Sequence, residues 1–94
     1  MWYWHNGDLV EREDAWIPVE DHGFLYGMGL FETFRTYGFI PFLFDAHWER
    51  LMKSLDELWI DFPYTKEEIE TAIQQLCRQN EAPDLYIRLN VSAG

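Results

Sequence analysis

The sequence predicts an α+β two-layer sandwich: a mostly antiparallel sheet with two helices packed on one face. Three observations carry this. DLYIRLNVSAG alternates apolar Leu85, Ile87, Leu89 and Val91 with polar Tyr86, Arg88 and Asn90, the period-two pattern of a half-buried strand. DAHWERLMKSLDELWI and TKEEIETAIQQLCRQN instead repeat their apolar residues every three or four positions, as one-sided helices do. The order of elements, strands, then two helices, then a strand, lacks the regular βαβ alternation of a parallel sheet.

Each element has a local reason. In WYWHNGDLVE, Asn6-Gly7 separates two extended runs, and both residues tolerate positive φ, so strands near 2–5 and 8–11 are joined by a hairpin turn. EREDAWIPVED is polar, carries Pro18 and reads as a connector. DHGFLYGMGLFETFR, residues 21–35, brings three glycines among bulky aromatics and reads as a tight bend running into a strand, LFETFRTY. Gly38 and Pro41 bracket a turn, and PFLF reads as a short apolar strand. The first helix has Asp45 as its N-cap and Trp48, Leu51, Met52, Leu55, Leu58 and Trp59 as its buried stripe. Pro63 ends that segment. The second helix opens with the T-x-x-E capping box of Thr65 and Glu68, and Ile69, Ala72, Ile73 and Leu76 form its core stripe.

Composition narrows the function. Ninety-four residues suffice for one small core, and 48% hydrophobic content is too much for a disordered chain. Five Trp, five Tyr and seven Phe are hard to bury in one two-layer domain, so some are expected to meet a partner surface. Seventeen carboxylates against seven Lys and Arg give a net charge of −10, which argues against nucleic acid and against an anionic membrane surface. A lone cysteine, Cys77, forms no internal disulfide and suits a reducing compartment. The start MWYWHNGD lacks the marks of a secretory signal and no apolar run is long enough to span a membrane, so the expected location is cytoplasmic.

The chemistry-bearing residues are few. Gly27-Met28-Gly29 is not a dinucleotide fingerprint, because Glu32 stands where the third glycine belongs, within a strand. His5, His22 and His47 have no metal-ligand spacing, and neither a zinc site nor a Cys-His nucleophile is supported. In LFETFRTY, Leu30, Glu32, Phe34 and Thr36 share one face and Phe31, Thr33, Arg35 and Tyr37 the other; neither is cleanly apolar, so both are expected to be covered. The polar face of Tyr86, Arg88 and Asn90 is explained by a solvated sheet, and also by a binding floor whose arginine holds a carboxylate; pattern alone leans to the first. Arg50 lies about 140° from its helix's core stripe at ~100° per residue, which marks it as a surface arginine.

DHGFLYGMGLFETFR, PFLFDAHWERLMKSLDELWI and LYIRLNVSAG, in this order and spacing, resemble the N-terminal domain of the class IV, fold-type IV pyridoxal-phosphate enzymes. That family holds branched-chain aminotransferases, D-amino acid aminotransferases and 4-amino-4-deoxychorismate lyases. FETFR and RLNVSAG are most similar to the lyases of Gram-positive bacteria. Branched-chain enzymes tend to read FEGIR, and D-amino acid enzymes tend to close the last strand with Arg-Gly where this chain has Ala93-Gly94.

The resemblance implies roles. Arg50, in HWER, would hold the phosphate of pyridoxal 5'-phosphate. Phe31, Thr33 and Arg35 would line the substrate side of the cofactor. Tyr26 would stand at an active site, often the neighbouring subunit's. Tyr86 and Arg88 would be substrate-side positions, with Asn90 on their face. The implied reaction is formation of 4-aminobenzoate and pyruvate in folate biosynthesis, on a small anionic substrate, by a homodimer. The family's Schiff-base lysine lies in a C-terminal domain, whereas this chain has only Lys53 and Lys66, at neither matching position. Residues 1–94 are therefore expected to be the N-terminal domain of a larger two-domain enzyme and to be inactive alone, with no catalytic residue of their own. The alternatives are a class IV aminotransferase, for D-amino or branched-chain amino acids, and a non-catalytic stand-alone domain.

Overall fold

The structure is a computed structural model and describes all of residues 1–94. Its elements are β1 (Trp2–His5), β2 (Asp8–Glu11), a 3-10 turn (Arg12–Asp14), α1 (His22–Tyr26), β3 (Gly29–Tyr37), β4 (Ile40–Pro41), α2 (Phe44–Glu57), α3 (Lys66–Gln79) and β5 (Tyr86–Ser92). Strands β1 and β2 form their own hairpin, with Asn6 and Gly7 at φ 50° and 96° in the turn. The other strands form one antiparallel sheet in the order β4-β3-β5. The expected α+β sandwich is what forms, split into two sheets, and its shortest extent, 18 Å, accommodates one sheet and one helical layer.

Both helices cover the same face of the three-stranded sheet. Phe34 of β3 and Ile87 of β5 meet Phe44 of α2 and Ile69 and Ile73 of α3 in one buried cluster, flanked by Trp4, Trp48, Phe62 and Tyr64. Burying each such side chain contributes about 1.5–3 kcal/mol, so this cluster is the main source of stability. Thr36 is fully buried here, and its hydroxyl donates to the Pro83 carbonyl at 3.0 Å and accepts from the Leu85 N–H at 2.8 Å. Thus the end of β3 is tied to the start of β5. Alternation in β5 is as read: Ile87 is buried while Tyr86, Arg88 and Asn90 are exposed.

Several expectations need correction. The bend at 21–29 contains a short helix, α1. Asp21 caps it by accepting from the N–H groups of Gly23 and Phe24 at 2.9 and 3.3 Å, and Gly27 ends it in the left-handed region at φ 68°. Gly29 permits a close approach of backbone to backbone: a Cβ there would lie 2.7 Å from the Val91 carbonyl oxygen.

PFLF is not a strand. Only Ile40 and Pro41 pair, and Phe44 already belongs to α2. The N-cap of α2 is Leu43 at φ 54°, without a side-chain cap, so Asp45 lies in the first turn and pairs with Lys66 at 2.5 Å. Leu58 and Trp59 drop out of the buried stripe because α2 ends at Glu57. Trp59 sits at φ 58°, and the Trp59 and Ile60 N–H groups bond back to Asp56 and Leu55, closing the helix as a Schellman turn. Trp59 is 92% exposed. In α3 the capping box forms as read, but Cys77 rather than Leu76 is fully buried. No helix is long and apolar enough to cross a membrane.

Candidate active site

The face of the sheet turned away from the helices is uncovered, against the expectation that both faces of β3 would be shielded. Antiparallel register aligns Phe31 with Asn90, Thr33 with Arg88 and Arg35 with Tyr86, so all six side chains share that face. Phe31 and Tyr86 are 53% and 67% exposed. With Tyr37, the outward positions of β3 and β5 carry two guanidiniums and no carboxylate. In a chain of net charge −10, that is a local cationic floor against the overall field.

Arg88 is preorganised on it. Its Cζ lies 3.9 Å from the Phe31 ring centroid, and its Nε donates to Asn90 Oδ1 at 2.9 Å. These contacts leave both terminal nitrogens for a ligand, the geometry that suits bidentate capture of a carboxylate. Arg35 is freer, with its Cζ 5.9 Å from the Tyr37 ring and no hydrogen bond to its guanidinium. The two arginines flank Thr33 and Tyr86, so the floor offers two separate cationic points along one direction.

Tyr26 is set apart from this group. It ends α1, 69% exposed, with its ring 5.6 Å from that of His22. Helix α1 is lashed to the end of β5: the Ser92 hydroxyl donates to Asp21 Oδ1 at 2.8 Å and the His22 N–H to the Gly94 carbonyl at 2.8 Å. Tyr26 is thus held through its helix near the end of β5 and makes no hydrogen bond with the six.

Arg50 lies on the other side of β3. Glu32 points toward the helices and is buried, and Arg50 donates to it from Nε at 2.9 Å to Oε2 and from Nη2 at 2.6 Å to Oε1. His47 Nδ1 also reaches Glu32 Oε1, at 2.8 Å. A carboxylate only accepts, so Nδ1 carries the proton in that bond, and the 3.3 Å approach of Arg50 Nη2 to the same Nδ1 is a contact. The Arg50 hydrogen bonds, foremost, hold the Glu32 carboxyl below the usual carboxylate range, and Glu32 in turn raises Arg50 above its ordinary value. The Arg50 side chain is nevertheless 65% exposed, and no hydrogen bond uses its Nη1. Sequence pattern placed Arg50 on the surface and missed its partners. The available signal was Glu32 itself, a charge alternating onto the apolar side of a strand, which burial forces to find a cation.

Neither lysine approaches either group as a reactive amine. Lys66 is held as a cation by Asp45, whose hydrogen bond raises it above the ordinary lysine value, and Lys53 is exposed on α2.

Residues 29–94 match the sequence profile of the family described as amino-transferase class IV. The chain is 46% identical over 91 residues to the aminodeoxychorismate lyase of Bacillus subtilis (strain 168), covering 95% of this chain and 31% of that protein. It is 44% identical over 89 residues to a protein of Methanocaldococcus jannaschii named, provisionally, a branched-chain-amino-acid aminotransferase, again covering 95% of this chain and 31% of the relative. Its fold superposes on the T.th. branched-chain amino acid aminotransferase complexed with N-(5'-phosphopyridoxyl)-L-glutamate, with a TM-score of 0.85 and 33% identity over 95% of this chain and 31% of that one. The chain thus spans about a third of the length of these relatives.

Proposed function

The chain belongs to the class IV aminotransferase family, and from that premise we propose that it is the N-terminal domain of a two-domain pyridoxal-phosphate lyase. The proposed reaction converts 4-amino-4-deoxychorismate into 4-aminobenzoate and pyruvate, a step toward folate. The observation that carries the reading is the uncovered cationic floor, where register alone gathers Phe31, Thr33, Arg35, Tyr86, Arg88 and Asn90. A dicarboxylate substrate suits two separated arginines. Arg88, stacked on Phe31 and held by Asn90, takes one carboxylate, and Arg35 takes the other. Thr33 and Tyr86 offer hydroxyls between them, and Tyr26 borders the site from α1.

The donor set fits part of the cofactor. Arg50, with an exposed guanidinium and an uncommitted Nη1, suits a phosphate dianion. No residue suits the aldehyde, since Lys66 is engaged by Asp45 and Lys53 sits on α2 away from the floor's two strands. When bound, pyridoxal phosphate supplies an electron sink for the amine-bearing carbon of the substrate. This chain's own residues bind and orient around it: Arg50 anchors the phosphate and the floor presents the substrate. The lysine that completes the site belongs to a C-terminal domain outside these 94 residues, so the chain alone is inactive in this account. The exposed Trp16, Phe24, Tyr26 and Trp59 support burial against that domain or a second copy, as in a homodimer of a cytoplasmic enzyme.

Identity separates the lyase from a branched-chain transaminase by little, 46% against 44%. The lyase is preferred on the residues themselves. FETFR stands where branched-chain enzymes tend to read FEGIR, and Ala93 stands where D-amino acid enzymes tend to carry arginine. The likeness in fold to a branched-chain aminotransferase favours the second reading, a class IV transaminase. Full-length protein incubated with aminodeoxychorismate, and separately with D-alanine or a branched-chain amino acid plus 2-oxoglutarate, separates the two. Release of 4-aminobenzoate without amino-group transfer is expected. Transfer with no 4-aminobenzoate would replace the lyase by the transaminase.

A further inference from the structure

We propose that Glu32 and His47 are positioning residues that fix the Arg50 guanidinium in one orientation, leaving Nη1 as its uncommitted donor for a phosphate monoester. The inference rests on the reading of Arg50 as the phosphate anchor, and it explains a feature which that reading does not use.

The feature is a carboxylate in the apolar layer. Glu32 is 8% exposed and lies in a crevice with Phe34, Phe44 and Leu51. Burying a carboxylate is costly, and an apolar side chain of similar size would fill the space without that cost. Stability alone therefore does not account for Glu32, whereas geometry does. Its two oxygens meet Arg50 Nε at 3.2 and 2.9 Å and Nη2 at 2.6 Å, engaging one whole edge of the guanidinium. His47 closes the remaining side of Oε1 at 2.8 Å and is itself seated against Phe34, ring centroids 5.2 Å apart.

An exposed arginine on a helix samples many rotamers. This one is bound to a carboxylate that the strand and a histidine hold in place, so its ordering is complete before a ligand arrives. The pleat adds a consequence. Phe31 and Thr33, the chain neighbours of Glu32, face the opposite side, so one strand carries both the arm that orients the phosphate anchor and the floor that meets the substrate.

The test compares pyridoxal 5'-phosphate with pyridoxal, which lacks the phosphate, as ligands of the full-length protein, by titration of wild type, Glu32→Gln, His47→Gln and Arg50→Ala. A positioning role predicts that Glu32→Gln weakens the phosphorylated ligand by roughly tenfold to a hundredfold, the scale of a charged hydrogen bond, and leaves pyridoxal little changed. His47→Gln shifts the same ratio in the same direction by less. A purely structural role for Glu32 weakens both ligands equally, and that result would overturn the proposal, as would an unchanged ratio. Should Glu32→Gln fail to fold, the ratio in His47→Gln decides alone. Arg50→Ala is the separate control: if it leaves the ratio intact, the reading of Arg50 as phosphate anchor is what fails.

Discussion

Strand β3 has two faces that obey opposite rules. Toward the helices it presents Glu32, Phe34 and Thr36, all buried, every buried polar side-chain atom matched within the chain. Away from them it presents Phe31, Thr33, Arg35 and Tyr37, with two aromatic residues more than half exposed and an arginine whose guanidinium makes no hydrogen bond. The first face is finished. The second is ordered, through the Phe31–Arg88–Asn90 stack, but unfinished. A solvated face would be expected to mix charges of both signs in so acidic a chain. This one carries arginines, aromatics and the neutral polar Thr33 and Asn90 but no carboxylate, a composition that suits an anionic ligand and a covering partner.

Truncation separates the faces most strongly. Phe34→Ala removes the ring at the centre of the buried cluster and is expected to cost about 3–5 kcal/mol, most of the stability of so small a domain. Phe31→Ala, three positions earlier and on the other face, should cost only about 0.5–1 kcal/mol, the lost contact with Arg88. Urea denaturation of the two variants measures the contrast, and equal losses would mean that the outer face is structural after all. Gly29→Ala comes next, at about 1–3 kcal/mol, because its methyl would press on the Val91 carbonyl and prise β3 from β5, which disturbs both faces at once. Thr65→Ala should cost about 1 kcal/mol through loss of the α3 capping box, with no effect on the outer face.

Acid probes the finished face alone. The Glu32 carboxyl is held low by Arg50 and then His47, so the folded state binds its proton less readily than the unfolded chain does. Its contribution is complete above the ordinary carboxylate pKa of about 4.3 and is lost as pH falls through the lower folded value. Glu32→Gln should therefore flatten the fall in denaturation midpoint below about pH 4 relative to wild type. Parallel acid limbs in the two proteins would count against the Glu32–Arg50 pair.

The finished face was the legible one, up to a point. Alternation in residues 85–91, the Asn6-Gly7 turn and the Thr65/Glu68 box are local signals, and each produced the element it named. Failures came where tertiary bonds decide. Helix α1 spans five residues, too short for a period to register, and exists because Asp21 caps it and Ser92 and Gly94 tie it down from the far end of the chain. Asp45 looked like a cap, but the chain turns through Leu43 in the left-handed region one residue before the helix begins. Glu32 finds His47 and Arg50 fifteen and eighteen residues away across two elements, a pairing no spacing announces. The outer six residues were grouped strand by strand from period two. Their union into one floor needed the register, which sets Thr33 opposite Arg88.

Arg88→Ala in the full-length enzyme tests most directly whether the outer face is a substrate floor. Stability and steady-state turnover of aminodeoxychorismate are measured on the same preparation. A substrate floor predicts a denaturation midpoint close to wild type, because Arg88 is exposed, together with a kcat/KM lowered by roughly tenfold to a hundredfold, the scale of one charged hydrogen bond to the substrate. Unchanged kcat/KM in a folded Arg88→Ala protein would contradict it and return that face to solvent.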